Sequence, residues 1–113
     1  MHELGLAAEI VDIAAAQAEG GRVVKLVVEI GVLTAVFVDS VRFCFDAVSA
    51  GTPVEGATLV IVEVPGEGVC RACGVTRALT QALTECACGA WDFEWTKGHE
   101  LRVREVEVEV PCA

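Results

Sequence analysis

The chain is short of positive charge. Against 17 Asp and Glu it carries 8 Lys and Arg, for a formal net charge of -9 at pH 7. Nucleic-acid affinity comes mainly from Lys and Arg neutralising phosphates, so this balance argues against a nucleic-acid partner and favours basic partners or cations. Long apolar runs are missing too, since no stretch approaches the roughly 18–20 residues that span a bilayer. No membrane segment is expected. The first residues lack the basic region of a signal peptide and place a carboxylate at Glu3. Together these absences make a cytoplasmic location the expectation. Histidine is scarce as well: His2 and His99 lie near opposite ends. No nucleophile–base pair or Ser/His/Asp constellation emerges, so the chain does not read as an enzyme.

What the chain has is apolar mass. Of 113 residues 54% are hydrophobic, enough for one modest core and a small satellite lobe. Leu4, Leu6, Ala7, Ile10, Val11, Ile13, Ala14 and Ala18 recur at helical spacing, which predicts a helix over 4–19 stopped by Gly20-Gly21. RVVKLVVEI (22–30) alternates, with Val24, Leu26, Val28 and Ile30 on one face, and predicts a strand. Asp39-Ser40 would cap a second helix whose buried face is Phe37, Val41, Cys44, Phe45 and Val48. On that face Cys44 reads as a small buried hydrophobe. The β-branched run at 57–64 predicts a second strand, and PGEGV (65–69) a hinge-like link. HELRVREVEVEV (99–110) predicts a third strand whose apolar parity slips midway, as a bulge near Arg104-Glu105 would cause. The expected fold is α+β, two helices packed on one face of a three-stranded sheet, with a small zinc-ribbon-like lobe inserted before the last strand. The boundaries are 1–65 plus 99–113 for the α+β domain and 66–98 for the lobe. An unpaired edge at 99–110 would allow a swapped or edge-paired homodimer.

Four of the six cysteines fall within residues 70–88. Cys70 and Cys73 form a C-x-x-C pair, Cys86 and Cys88 a tighter C-x-C pair, and each pair is followed by a glycine, Gly74 and Gly89. Two thiolate pairs on sharp turns suit a closed tetrahedral site for Zn(II), whose softness and lack of redox chemistry match such donors. A lobe of about thirty residues cannot bury enough apolar area to fold alone, and a metal would supply the missing stability. The competing readings are a pair of disulfides or free core thiols, which an intracellular setting disfavours. Because one residue alone separates Cys86 from Cys88, His99 or Cys112 remains open as a substitute ligand. A zinc hydrolase would need an open coordination position, which four thiolates do not leave.

The chain starts MHE at the tip of its first helix. The amine of Met1, the backbone nitrogen of His2 and its imidazole can chelate one ion through small adjacent rings, an arrangement suited to Ni(II) or Cu(II). Glu3 could add a carboxylate. The competing reading is a solvated histidine beside a glutamate that favours a helix start through the dipole.

The MHE start, VVEIGVLTAV (27–36), RFCFDAVSAGTPVEGATL (42–59), the CRACG and CACG pairs and GHELRVREVEVE (98–109) occur in one order along nearly the whole chain. In this it resembles the HypA/HybF family of hydrogenase-maturation nickel metallochaperones. The resemblance implies that Ni(II) is bound by His2, with Met1 and Glu3 next, and that Cys70, Cys73, Cys86 and Cys88 hold a structural zinc. It further implies delivery of nickel, with a partner GTPase, to the large subunit of [NiFe]-hydrogenase and in some organisms to urease. The C-x-C pair departs from the commoner C-x-x-C of that family. The alternative reading is a zinc-stabilised protein-interaction adaptor with no nickel role.

Overall fold

The computed structural model describes residues 2–110. Helix α1 (Glu3–Ala16) is followed by β1 (Arg22–Gly31), a 3-10 turn (Val32–Thr34), α2 (Val38–Ser49) and β2 (Thr58–Val64). Then come β3 (Gly66–Cys70), β4 (Thr76–Leu79), β5 (Phe93–Lys97) and β6 (Leu101–Glu109). The architecture is mixed α+β, with both helices on one sheet and a second small sheet beyond it.

The first sheet has the order β2-β1-β6, with β1 parallel to β2 and antiparallel to β6. Helical spacing brings Leu6, Ile10, Val11 and Ala14 to one side of α1, and Val41 and Phe45 to one side of α2. These side chains close over Leu26, Val28 and Ile30 on β1. Burial of each large member stabilises the fold by roughly 1.5–3 kcal/mol.

The strand alternation is broken by a bulge at two places. On β1 the residue continuing the buried row is Val23, 2% exposed, and Val24 is displaced, because Val23 faces Val108 while Lys25 faces Glu107. The extra residue makes a bulge. On β6, Val27 faces Glu105 and Val28 faces Val103, leaving Arg104 as the extra residue at the place where the parity slip foretold it. Charged residues of β6 thereby stay off the helix side.

Helix α1 ends at Ala16, earlier than the periodicity suggests, and Glu19 (φ 46) and Gly20 (φ 85) turn the chain into β1. Helix α2 begins at Val38, and Asp39 lies in its first turn rather than capping it. A carboxylate there still benefits from the helix dipole. Phe37 precedes the helix and is 72% exposed, so it is not part of the buried face. Cys44 is half-buried at the rim of α2, not a core residue.

Pairing of Gly31 with Val64 and of Ile30 with Leu101 gathers the ends of β1 and β2 and the start of β6 at one end of the sheet. The second sheet, β4-β3-β5, is antiparallel throughout and occupies the chain between β2 and β6. Residues 66–69, read from sequence as a link, are its central strand. Two of the five residues of β3 are glycines, which hide a strand from any side-chain pattern.

The two sheets meet through backbone. Gly98 has φ +97, and a Cβ on it would lie 2.5 Å from Gly66 Cα and 3.1 Å from Leu33 Cγ. Leu33 N–H donates to the Gly98 carbonyl at 2.8 Å, and Gly98 N–H donates to Glu100 Oε1 at 2.7 Å. Burial raises the Glu100 pKa, but N–H groups of Glu100 and Gly98 outweigh it and hold the carboxyl below its usual value. Leu33 belongs by sequence to the helix-bearing half, yet its side chain sits in the second core with Cys70, Leu79, Cys86 and Phe93.

Candidate metal centre

Both cysteine pairs sit on turns closed in the same way. Around the first, Cys70 N–H donates to Val75 O (3.0 Å) and Gly74 N–H to Cys70 O (2.8 Å). Around the second, Cys86 N–H donates to Ala90 O (2.7 Å) and Gly89 N–H to Cys86 O (2.8 Å). The C-x-C turn is the same device one residue shorter. Gly74 (φ 77) and Gly89 (φ 93) take the left-handed conformation that lets each chain double back.

The shortened turn still delivers its sulfurs. All four Sγ atoms lie within 4.8 Å of one another, with Cys70–Cys88 and Cys73–Cys86 each at 3.7 Å. Sulfurs about 2.3 Å from a central ion at tetrahedral angles stand about 3.8 Å apart. The cluster therefore fits a four-coordinate metal ion, and each 3.7 Å edge joins one cysteine from each turn. Cys70 and Cys86 are buried at 1% and 2% exposure, whereas Cys73 and Cys88 face solvent.

The surroundings favour thiolates. N–H of Cys88 and the guanidinium of Arg77, whose Nε lies 3.2 Å from Cys86 Sγ, bring the Cys86 thiol down to about 6. The N–H of Cys73 lowers Cys70 in the same manner. At Cys88 the lowering pull of the Ala90 N–H is overcome by the adjoining Cys86 and Cys70 sulfurs, which push it up to about 11. The Cys88 thiol is thus favoured as a hydrogen-bond donor to the neighbouring sulfurs, and a divalent cation would take the place of its proton.

His99 is exposed at the junction and is not part of the cluster. Cys112 and Met1 lie outside the described residues. Among the described residues, this cluster is the one group of three or more His, Cys, Asp or Glu side chains whose donor atoms converge.

The amino-terminal end is built differently. His2 is extended (φ -83, ψ 114) at the start of α1, where its carbonyl accepts the Leu6 N–H at 3.0 Å and its imidazole caps nothing. His2, Glu3 and Leu4 border an open depression of about 410 Å³ whose other wall is the start of α2: Asp39, Ser40, Phe43 and Cys44. Asp39 thus shares a surface with His2 and Glu3. Its proximity follows from how the two helices pack, which no local spacing encodes. The three donor groups are neighbours there without converging to contact.

Both the sequence and the fold have known relatives. Residues 1–108 match the family described as HypA, hydrogenase/urease nickel incorporation, metallochaperone. Hydrogenase maturation factor HypA of Rippkaea orientalis is 47% identical over 113 residues, covering 99% of each chain. That of Geobacter sulfurreducens is 44% identical over 110 residues, covering 96% of this chain and all of the relative. The solution structure of the Ni metallochaperone HypA from Helicobacter pylori overlays with a TM-score of 0.70 at 23% identity, covering 98% of this chain and 100% of that one. At that identity the overlay shows the shared fold. Family and relatives alike are named for metal incorporation and maturation, not for catalysis. The chain belongs to the HypA family of nickel metallochaperones of hydrogenase maturation.

Proposed function

We propose that the chain carries Ni(II) at its amino-terminal end and keeps a structural Zn(II) in the four-cysteine lobe. Nickel is held by His2, through imidazole and backbone nitrogen, with the Met1 amine and the Glu3 carboxylate; Asp39 stands on the facing wall as a further donor. Zinc is held by Cys70, Cys73, Cys86 and Cys88. The nickel unit comprises 1–65 with 99–113 and the zinc unit 66–98. In the cytoplasm the cargo passes, with a partner GTPase, to the large subunit of [NiFe]-hydrogenase, and to urease where one is present.

The observation that carries this reading is the contrast between the two sites. The sulfur cluster is closed, half-buried and preassembled, as a permanent ion requires. The His2 depression is open, with oxygen and nitrogen donors near one another but not locked, as release requires. The test is metal titration of untagged protein beside His2→Ala. One tight zinc per chain should persist in both, and weaker nickel binding should vanish in the variant. Nickel binding unchanged by His2→Ala would leave the zinc-stabilised adaptor as the reading.

A further inference from the structure

A divalent ion with four thiolates carries a net charge of about -2, which a half-exposed lobe must accommodate. Three basic residues lie in 66–98: Arg71, Arg77 and Lys97. Arg71 is turned to Asp92 at 3.3 Å, and Lys97 lies on β5 opposite Glu67. Arg77 is different: its Nε donates to Cys86 Sγ at 3.2 Å.

The fold aims this side chain. Arg77 lies two residues before Leu79 on β4, so both project to the same face, and Leu79 is in the lobe core. In the register of β3 and β4, Arg77 stands opposite Gly68. The facing position therefore carries no side chain, and a Cβ there would fall 2.7 Å from Leu79 Cδ1. Arginine suits the task better than lysine, because its planar head offers a directed donor and keeps its charge when half-buried.

We propose that Arg77 is a positioning residue of the four-cysteine centre, holding the Cys86 sulfur through a charge-assisted hydrogen bond and offsetting part of the cluster's negative charge. The inference rests on the zinc reading above and adds to it a determinant of how tightly the ion is kept. A hydrogen bond to a metal-bound thiolate offsets its negative charge, resists its protonation and fixes its direction, so the sulfur leaves the metal less readily. Loss of such a partner weakens metal affinity by roughly 10–100-fold.

The experiment compares wild type with Arg77→Met, Arg77→Gln and Arg77→Lys, each loaded with zinc and separately with Co(II). Zinc transfer to a chromophoric chelator should be about tenfold faster in Arg77→Met and Arg77→Gln, with Arg77→Lys between them and wild type. The thiolate-to-cobalt charge-transfer band should move to lower energy when the donor is lost, a change that packing alone does not produce. The far-ultraviolet circular dichroism of α1 and α2 should remain that of wild type. Equal release rates and superimposable cobalt spectra would overturn the proposal, as would faster release without any band movement. Should Arg77→Met not fold, Arg77→Lys and Arg77→Gln carry the comparison. A wild type that takes up neither zinc nor Co(II) at the cysteines would instead overturn the metal reading itself, and this inference with it.

Discussion

Leu33→Ala is the substitution that most directly tests how the two halves are joined. Leu33 is 3% exposed and is one of three sizeable apolar side chains, with Leu79 and Phe93, in the core of the cysteine lobe. Truncating a buried leucine costs roughly 2–5 kcal/mol, more where the walls cannot collapse into the void. Here part of the wall is the backbone of Gly66 and Gly98, which has no side chain to relax. A loss of about 3 kcal/mol, or about a hundredfold in the opening equilibrium, is expected. The two tryptophans of the chain, Trp91 and Trp95, both lie in the lobe, whereas both helices lie outside it. Tryptophan fluorescence therefore follows the lobe and far-ultraviolet circular dichroism follows α1 and α2. In metal-free protein titrated with denaturant, Leu33→Ala should shift the fluorescence transition to lower denaturant and shift the dichroism transition less. A dichroism transition that moved while fluorescence stayed put would refute the placement of Leu33 in the lobe core.

Gly98→Ala should destabilise the junction by roughly 1–3 kcal/mol, since φ +97 strains any other residue and the added methyl meets Gly66 Cα; a chemical denaturation midpoint equal to wild type would contradict this. The pH response of the metal-free lobe has a definite sign. Cys86 sits at about 6 when folded, under the Cys88 N–H and Arg77, against an ordinary 9.0. Unfolding between those values takes up a proton, so the contribution is full above about pH 9 and is lost as pH falls toward about 6. The fluorescence-detected thermal midpoint of metal-free protein should therefore rise with pH across that window, and a flat or falling profile would show that Cys86 is not held as thiolate.

The parts of the molecule legible in the sequence are those whose chemistry is local. Alternating apolar residues mark β1 and β6, a β-branched run marks β2, and even the bulge at Arg104 leaves its trace as a slipped parity. The cysteine pairs were legible because metal-binding turns need sulfur and glycine at fixed short spacing, and the turns keep their closing hydrogen bonds in the one-residue-shorter form. Strand β3 was hidden because Gly66 and Gly68 offer no pattern, and the bulge at Val24 because neighbouring valines look alike on either face. Phe37 falls in helical step with Val41 and Phe45, yet it precedes the helix and faces solvent. Asp39 beside His2, and Leu33 inside the lobe, are products of tertiary packing across distant segments. No window of sequence contains them.

The junction of Gly66 and Gly98 also has a kinetic side. The central strand β1 gains one neighbour, β2, after a helix crossover, but its other neighbour is β6, with a register that joins Arg22 to Glu109. During synthesis that pairing waits until Glu109 has emerged, long after Arg22. The entropy of closing so long a loop falls if the intervening segment is already shut, and the lobe shuts it by bringing its own entry and exit together. A metal-loaded lobe is then a clasp that sets β6 beside β1 in advance. Stopped-flow refolding of large-sheet structure should be faster with metal than without; equal rates would mean that the sheet zips independently of its insert. Metal uptake by the lobe would in that way govern how soon the large sheet closes.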